Sequence, residues 1–533
     1  MKRRISMIGM IALCVVVSTA TGIFAGPHDV VKVGIQYDPS TMNMLQMKSQ
    51  FDLSPVLHMH QALQGTNPFT GERSFEFTLT ESAEVLENGK DVLFKIAKGY
   101  TFHTGDPLTA HDVKFTYEQC ANPSNANMMA GPLDEIEDIE IIDDYTFIFR
   151  FYEPYAAWRE LLWIGICSQK YYEKVGAKQF GKHPVGSGPF KFVERLIGES
   201  ITLKVDPDFS WKERVPYNDP DTGEEKTKVV EKRVDFGTLK FITVPDDVTR
   251  AAMLETGELD LISDILPHHI KRLKRNKNVV IKRESTAPSL FALSAKPDNY
   301  PIFKDPDFAL AFYYAINRQE IVDKIYLGEG YPMYMFAVKS ELGYDPEVFF
   351  EFNPETAREL VQKSSYKPGT PIILTYTSVV PSADLVVGAI QNYMKDVGVT
   401  IKLQKLEIGT QLTYTRNRDS REGHLTLYTW PGGRDPSTRL LLSMPSDSPY
   451  NAWTTRKAQK QIDALTYAQA HEMDPDKRLA LLTQIHELLG DEPSSPILFG
   501  LNQIYAMQDR IDYSWLPMEA FLFSLQRIKI VKQ

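Results

Sequence analysis

Apolar positions in this chain recur with two periods. Residues 30–37 read Val-Val-Lys-Val-Gly-Ile-Gln-Tyr, a β-branched run that predicts an opening strand ending at Tyr37, and Asp38-Pro39-Ser40 supplies turn chemistry where a ligand-facing loop can begin. Elsewhere helical spacing takes over. Val387, Ile390 and Met394 predict an amphipathic helix that stops near Gly398, followed by a strand from Val399 to Leu403. Phe308 to Tyr326 reads as one helix after Asp305-Pro306, ending near Gly328 and Gly330, with Ala311, Ala315 and Ile316 facing a core. Asn353 is placed to cap a further helix and Pro354 to fill its first position. Strand and helix patterns mix in several blocks without a tandem repeat, the arrangement expected of α/β lobes.

Between Val92 and Cys120 a strand, a turn and a capped helix follow one another. Gly105-Asp106-Pro107 makes the turn, Thr109 caps the helix, and Asp112 reaches back as in a capping box while its charge suits the helix N-terminus. This makes Asp112 a cap and not a catalytic acid.

The first 25 residues differ from the rest. Lys2, Arg3 and Arg4 precede an apolar run from Ile8 to Val17 that gives way to Ser18, Thr19, Ala20 and Gly22, the form of a secretory signal peptide with cleavage expected after Ala25. The run is shorter than the roughly 20 residues of a membrane span. Leu13 before Cys14 is bulkier than lipoprotein processing prefers, so release is expected in place of lipid anchoring.

With 533 residues, 43% hydrophobic and 24% charged, the chain can bury a large core, which excludes a disordered or collagen-like polymer; the length allows about three domains. Its formal net charge is −10, and loss of residues 1–25 removes three positive and no negative charges, leaving −13. That balance argues against a nucleic-acid binder, which needs a concentrated positive surface. Cys120 and Cys167 then remain, too few for a disulfide scaffold, and they read as buried thiols with one bridge open to them.

The stretch from Phe94 to Tyr117 resembles the signature of the extracellular solute-binding proteins of peptide, nickel and opine ABC importers, family 5. The shared frame falls on Gly99, Phe102, His103, Gly105, Pro107, Leu108, Thr109, Ala110, Asp112 and Val113. Pro184-Val185-Gly186-Ser187-Gly188-Pro189-Phe190, the segment Ala252 to Asp260, the block from Ala311 to Gly330 with Tyr331-Pro332, and Asn353 to Leu360 are similar to later blocks of that family in the right order. The resemblance implies an α/β, bilobal periplasmic-binding-protein fold of the class II, cluster C type, with an extra inserted domain and two hinge crossings. It places lobe I at residues 27–54, 186–284 and 500–533, inserted domain II at 55–185 and lobe III at 285–499, with crossings near Ala287-Pro288-Ser289 and Pro493-Ser494-Ser495-Pro496.

By the same resemblance the chain is a non-enzymatic, periplasmic monomer that captures a peptide or related small polar solute between its lobes and hands it to an ABC permease in the cytoplasmic membrane. Peptide-binding relatives carry an Asp three residues after a Trp, which anchors the ligand's α-ammonium. Here the motif reads Tyr428-Thr429-Trp430-Pro431-Gly432-Gly433-Arg434-Asp435-Pro436, with Gly433 at the carboxylate's position; Asp435 is a ligand-binding candidate that can substitute for that carboxylate through an altered loop, or else it aligns with the Asp-Pro that follows the binding loop in relatives. Arg434 can meet an anionic group bidentately and Trp430 can stack on a planar ligand or hold a cation; Tyr37, at the end of the first strand, is a further cleft candidate.

Rival chemistries lack their parts. His58-Met59-His60 with His28, His103 and His111 suggests a metal, but His58 and His60 lie on opposite faces of an extended chain and no structural-zinc cluster is present, so no metal and no cofactor is expected. Gly186-Ser187-Gly188 is not a nucleophile elbow and His486-Glu487 has no second His four residues after the first, which leaves an exported hydrolase as the alternative from another class. A binder of extended polypeptide with a chaperone-like role is a third. The five basic residues from Lys271 to Lys277 read as a solvated helix end.

Overall fold

The computed structural model describes residues 29–49, 52–66, 73–218, 224–263, 265–284, 289–295, 300–407, 409–411, 425–430, 435–446, 448, 458–491, 496–513 and 524–531. The signal-peptide expectation and residues Gly433 and Arg434 lie outside them.

Three larger sheets organise these residues. The opening run forms the strand Val30–Ile35, whose Val31 and Val33 are buried, at the centre of a seven-stranded sheet. It pairs in parallel with Thr238–Thr243 on one side and Leu261–Ile262 on the other; the outer strands come from 190–205, Val279–Glu284 and Gln503–Gln508. A six-stranded sheet runs Gly330–Pro332, Ile497–Leu501, Leu290–Ala295, Leu425–Trp430, Ile372–Tyr376, Ile401–Lys405. A four-stranded antiparallel sheet is built from Thr80–Val85, Asp91–Ile96, Thr146–Phe151 and Ile136–Asp143. Its core of Phe94, Phe147, Phe149 and Phe151 is continuous with one face of the seven-stranded sheet.

Most local expectations hold. In the helix Ala110–Ala121, Thr109 caps and the Asp112 carboxylate accepts from the Thr109 N–H at 3.0 Å, while its other oxygen accepts from the Gln169 N–H at 3.0 Å. Both oxygens of Asp112 are therefore engaged by backbone. Asn353 caps the helix Pro354–Lys363 by accepting from Thr356. Helix Ala383–Asp396 joins two parallel strands, Ile372–Tyr376 and Ile401–Lys405, as such a pair requires of its crossover. Cys120 and Cys167 are buried and free, and burial pushes the Cys120 thiol up to about 12.

Two expectations are corrected. The single helix from Phe308 to Tyr326 is broken: Pro306–Ala315 ends at an extended Ile316, and Asn317 starts a new turn by accepting from the Glu320 N–H at 3.0 Å. The break turns Arg318 inward, where its guanidinium donates to the carbonyls of Ile497 at 2.6 Å and Tyr313 at 2.8 Å. The chain also passes between the large sheets later than Pro493 to Pro496, because Ile497–Leu501 still pairs within the six-stranded sheet and Gln503–Gln508 is the first strand in the seven-stranded one. Asn502 is the crossing residue. The other crossing lies between Glu284 and Leu290, of which 285–288 are outside the described residues.

Candidate functional site

Strands Val30–Ile35, Ile372–Tyr376 and Leu425–Trp430 all point their C-terminal ends at the boundary between the two large sheets. The Tyr37 hydroxyl, two residues past the first, donates across that boundary to the carbonyl of Ser378, two residues past the second, at 3.3 Å. Trp430 ends the third strand and faces Leu290, the first residue of its strand after a crossing. The carboxyl ends of parallel strands are where α/β sheets leave a crevice for ligands. Two of the sequence-nominated residues, Tyr37 and Trp430, are thus carried to the same boundary.

The loop after the first strand is held in place. Arg195 bonds both oxygens of Asp38, at 3.3 and 2.8 Å, and the Gly198 N–H donates to the same carboxylate at 3.0 Å. Buried Asp52 collects the Ser40 hydroxyl at 3.0 Å and the N–H groups of Lys48 and Ser49 at 3.1 and 3.2 Å. A carboxylate accepting several backbone N–H bonds fixes a loop without an ordered element.

Trp430 is positioned by a chain of contacts. Its ring meets Phe336 edge-on, with centroids 6.2 Å apart, and Tyr428 likewise at 6.2 Å. Phe336 lies under the Arg439 guanidinium, 4.8 Å from its centroid, and Arg439 is bound to the buried carboxylate of Glu341, with Nη1 to Oε1 at 2.7 Å. Asp435 is committed elsewhere. Arg478 grips it with two bonds of 2.7 and 2.6 Å, and the Ser437 N–H donates to it at 2.9 Å, at the start of helix Ser437–Ser443. Gly433 and Arg434 fall in the segment between these two anchored points.

Of the histidines singled out in the sequence, His28 lies outside the described residues, and His58, His60 and His103 serve packing. His58 lies between the Ser54 carbonyl and the Leu525 N–H, which donates to its Nε2 at 3.1 Å; His60 Nδ1 donates to Val56 O at 3.0 Å. Burial holds both imidazoles down to about 4. His103 bonds the Gly188 carbonyl at 2.9 Å, and His111 is exposed near Asp144. Gly186-Ser187-Gly188 runs against this region: a Cβ at Gly186 would sit 1.9 Å from Met59 O, and one at Gly188 would sit 2.7 Å from His60 N. These glycines serve close backbone approach, not catalysis.

Contacts bracket the boundary at both edges. Near the crossings, Arg283 donates to Glu329 at 3.0 Å, and the Asn502 N–H donates to the Glu329 carbonyl at 3.3 Å. Far from them, the Ala156 N–H donates to Ala470 O at 2.7 Å and His471 donates to Pro154 O at 2.7 Å, with Tyr155 buried between. These distant partners carried no sequence signal, since each joins segments more than 300 residues apart.

The profile of the bacterial extracellular solute-binding proteins, family 5, described by its middle region, matches residues 75–451. The chain belongs to this family. The glutathione-binding protein GsiB of Escherichia coli O6:K15:H31 is 24% identical over 92% of this chain and 93% of its own length, and the di/tripeptide-binding protein 3 of Pseudomonas aeruginosa is 24% identical over 79% and 80%. The oligopeptide-binding protein AppA of Bacillus subtilis, solved with a nonapeptide, superimposes with a TM-score of 0.80 at 20% identity, covering 95% of this chain and 99% of that one. The fold of this family-5 protein is therefore the bilobal periplasmic-binding-protein fold. No helix among the described residues is long and apolar enough to cross a membrane.

Proposed function

We propose that this family-5 protein is the exported, substrate-binding component of an ABC importer, taking a peptide or related small polar solute between its lobes and delivering it to a membrane permease. One observation carries the reading: three strands, each paired in parallel within its own sheet, end at the boundary of the large sheets, where the Tyr37 hydroxyl reaches the Ser378 carbonyl and Trp430 lies opposite Leu290 beside a crossing. In this reading residues 27–54, 186–284 and 503–533 form lobe I, 55–185 the inserted domain and 285–501 lobe III, with Asn502 between the lobes. Residues 1–25 are a signal peptide, and the mature chain works as a periplasmic monomer without a catalytic step.

Trp430 offers a ring face to the solute, Arg434 a charge for an anionic group, and Tyr37 a contact that forms only when the lobes meet. Gly433 replaces the carboxylate expected of an α-ammonium anchor, and Asp435 is held by Arg478. Main-chain pairing with the solute, in the manner of an added strand, then supplies peptide affinity with loose sequence preference. GsiB and the P. aeruginosa relative, named for glutathione and for di- and tripeptides, support a short peptide-like cargo. Native mass spectrometry of gently purified protein, followed by denaturation and fragmentation of the released solute, tests this. Short peptides are expected; a single non-peptidic mass overturns the peptide assignment.

A further inference from the structure

Away from the cleft, on the seven-stranded-sheet side, two short helices bring together side chains that the solute site does not use. Asp246 caps the helix Asp247–Thr256, so Asp247 stands at its first position; Pro267 opens the helix Pro267–Leu273, which places His268 and His269 in its first turn. The His269 Nε2–H donates to Asp247 Oδ2 at 2.9 Å, and His268 Nε2 faces the same oxygen at 3.7 Å. The two imidazole centroids are 4.0 Å apart, and one ligand atom from each of the three residues lies within 4.8 Å of the others.

A simple histidine–carboxylate hydrogen bond explains His269 but not the second ring turned to the same oxygen. A tetrahedral cation held at about 2.0–2.1 Å by nitrogen and oxygen needs ligand atoms roughly 3.3–3.5 Å apart. The observed 2.9 and 3.7 Å straddle that separation and the two imidazole nitrogens lie within 4.8 Å of each other, so side-chain rotation can bring the three atoms around one ion. His269 is buried at 7% side-chain exposure and fixes one ligand, while His268 at 55% leaves the fourth position open to water. Arg272, one turn beyond His268, is drawn off to Glu255 at 3.0 Å.

We propose that Asp247, His268 and His269 form a binding site for a borderline divalent transition-metal cation of the zinc class. Two imidazoles and one carboxylate suit zinc, nickel or copper, whereas calcium and magnesium demand oxygen shells. The cation replaces the proton between His269 and Asp247, with His269 passing to its Nδ1–H tautomer, and clamps the two helices together. Ile265, Leu266 and Pro267, leading into the second helix, line a small cavity of about 70 Å³ with Tyr326 and Pro381 from the other side of the boundary. A bound ion thus stiffens the wall beside the crossings.

Calorimetric titration of the chelator-treated chain with zinc chloride tests the site, alongside His268→Gln and Asp247→Asn. His268→Gln alters an exposed ring and keeps the fold, which an unchanged melting temperature without metal verifies. One zinc per chain is expected, weakened by about tenfold or more in each variant. Zinc that fails to bind the unaltered chain, or binds all three proteins alike, overturns the proposal.

Discussion

Trp430 is braced by Phe336, which is itself held by Arg439 on Glu341, so its ring is fixed in place before a solute arrives. Trp430→Ala should weaken solute binding by about 1 kcal/mol, or about fivefold, measured by calorimetry with the co-purified solute; unchanged affinity removes Trp430 from the site. Asp435 belongs to a different account. Its pair with Arg478 is mostly enclosed, at 17% and 8% side-chain exposure, so Asp435→Ala leaves a buried guanidinium without its carboxylate and should cost about 3–5 kcal/mol in urea unfolding. Replacing both residues by apolar ones should recover much of that loss, and a double variant no better than Asp435→Ala would contradict the pairing argument. The sequence made Thr109 and Asp112 legible because cap and partner are three residues apart. Arg478 lies 43 residues from Asp435, so nothing local announced that the carboxylate was already taken.

At the scale of elements, the Gly186 to Gly188 strand entry packs directly on the turn at Met59 and His60. Gly186→Ala should destabilise the protein by about 1–3 kcal/mol through overpacking, whereas Gly131→Ala, with no atom within 4 Å of the added carbon, should be near neutral. Equal midpoints in urea for the two variants would refute the close-approach reading. The helices that bury His58, His60 and His486 also set an acid limit. Each imidazole is held down to about 4 by burial, while an unfolded one titrates near 6.5, so the unfolded chain takes up protons first as pH falls. The stability is fully present above about pH 6.5 and is lost progressively towards pH 4, by roughly 3 kcal/mol per ring at most. His486→Gln should flatten the fall in urea midpoint across that window; an unaltered slope would count against it. Sequence patterning located the strands and most helices, but missed the break at Ile316 because the apolar spacing continues through it. It also set the second crossing too early, since the strand Ile497–Leu501, directly after Pro496, still pairs within the six-stranded sheet.

For the whole molecule, contacts at both edges of the boundary describe a closed arrangement: Tyr37 to Ser378 and Arg283 to Glu329 on one side, Ala156 to Ala470 and Pro154 to His471 on the other. A solute closes such a pair of lobes only by binding the closed form better than the open one. Tyr37→Phe, which removes one bond made only on closure, should therefore weaken solute binding by about 0.5 kcal/mol, about twofold, without moving the urea midpoint. The family blocks in the sequence foretold a bilobal fold; three of the four contacts that shut it join residues more than 300 positions apart, beyond any local pattern. The most direct test of capture between closing lobes is small-angle X-ray scattering of the protein stripped of solute by partial unfolding and refolding, then titrated with the solute identified from it. The radius of gyration should fall on addition and level off at one solute per chain; scattering that stays the same while the solute binds would contradict the account.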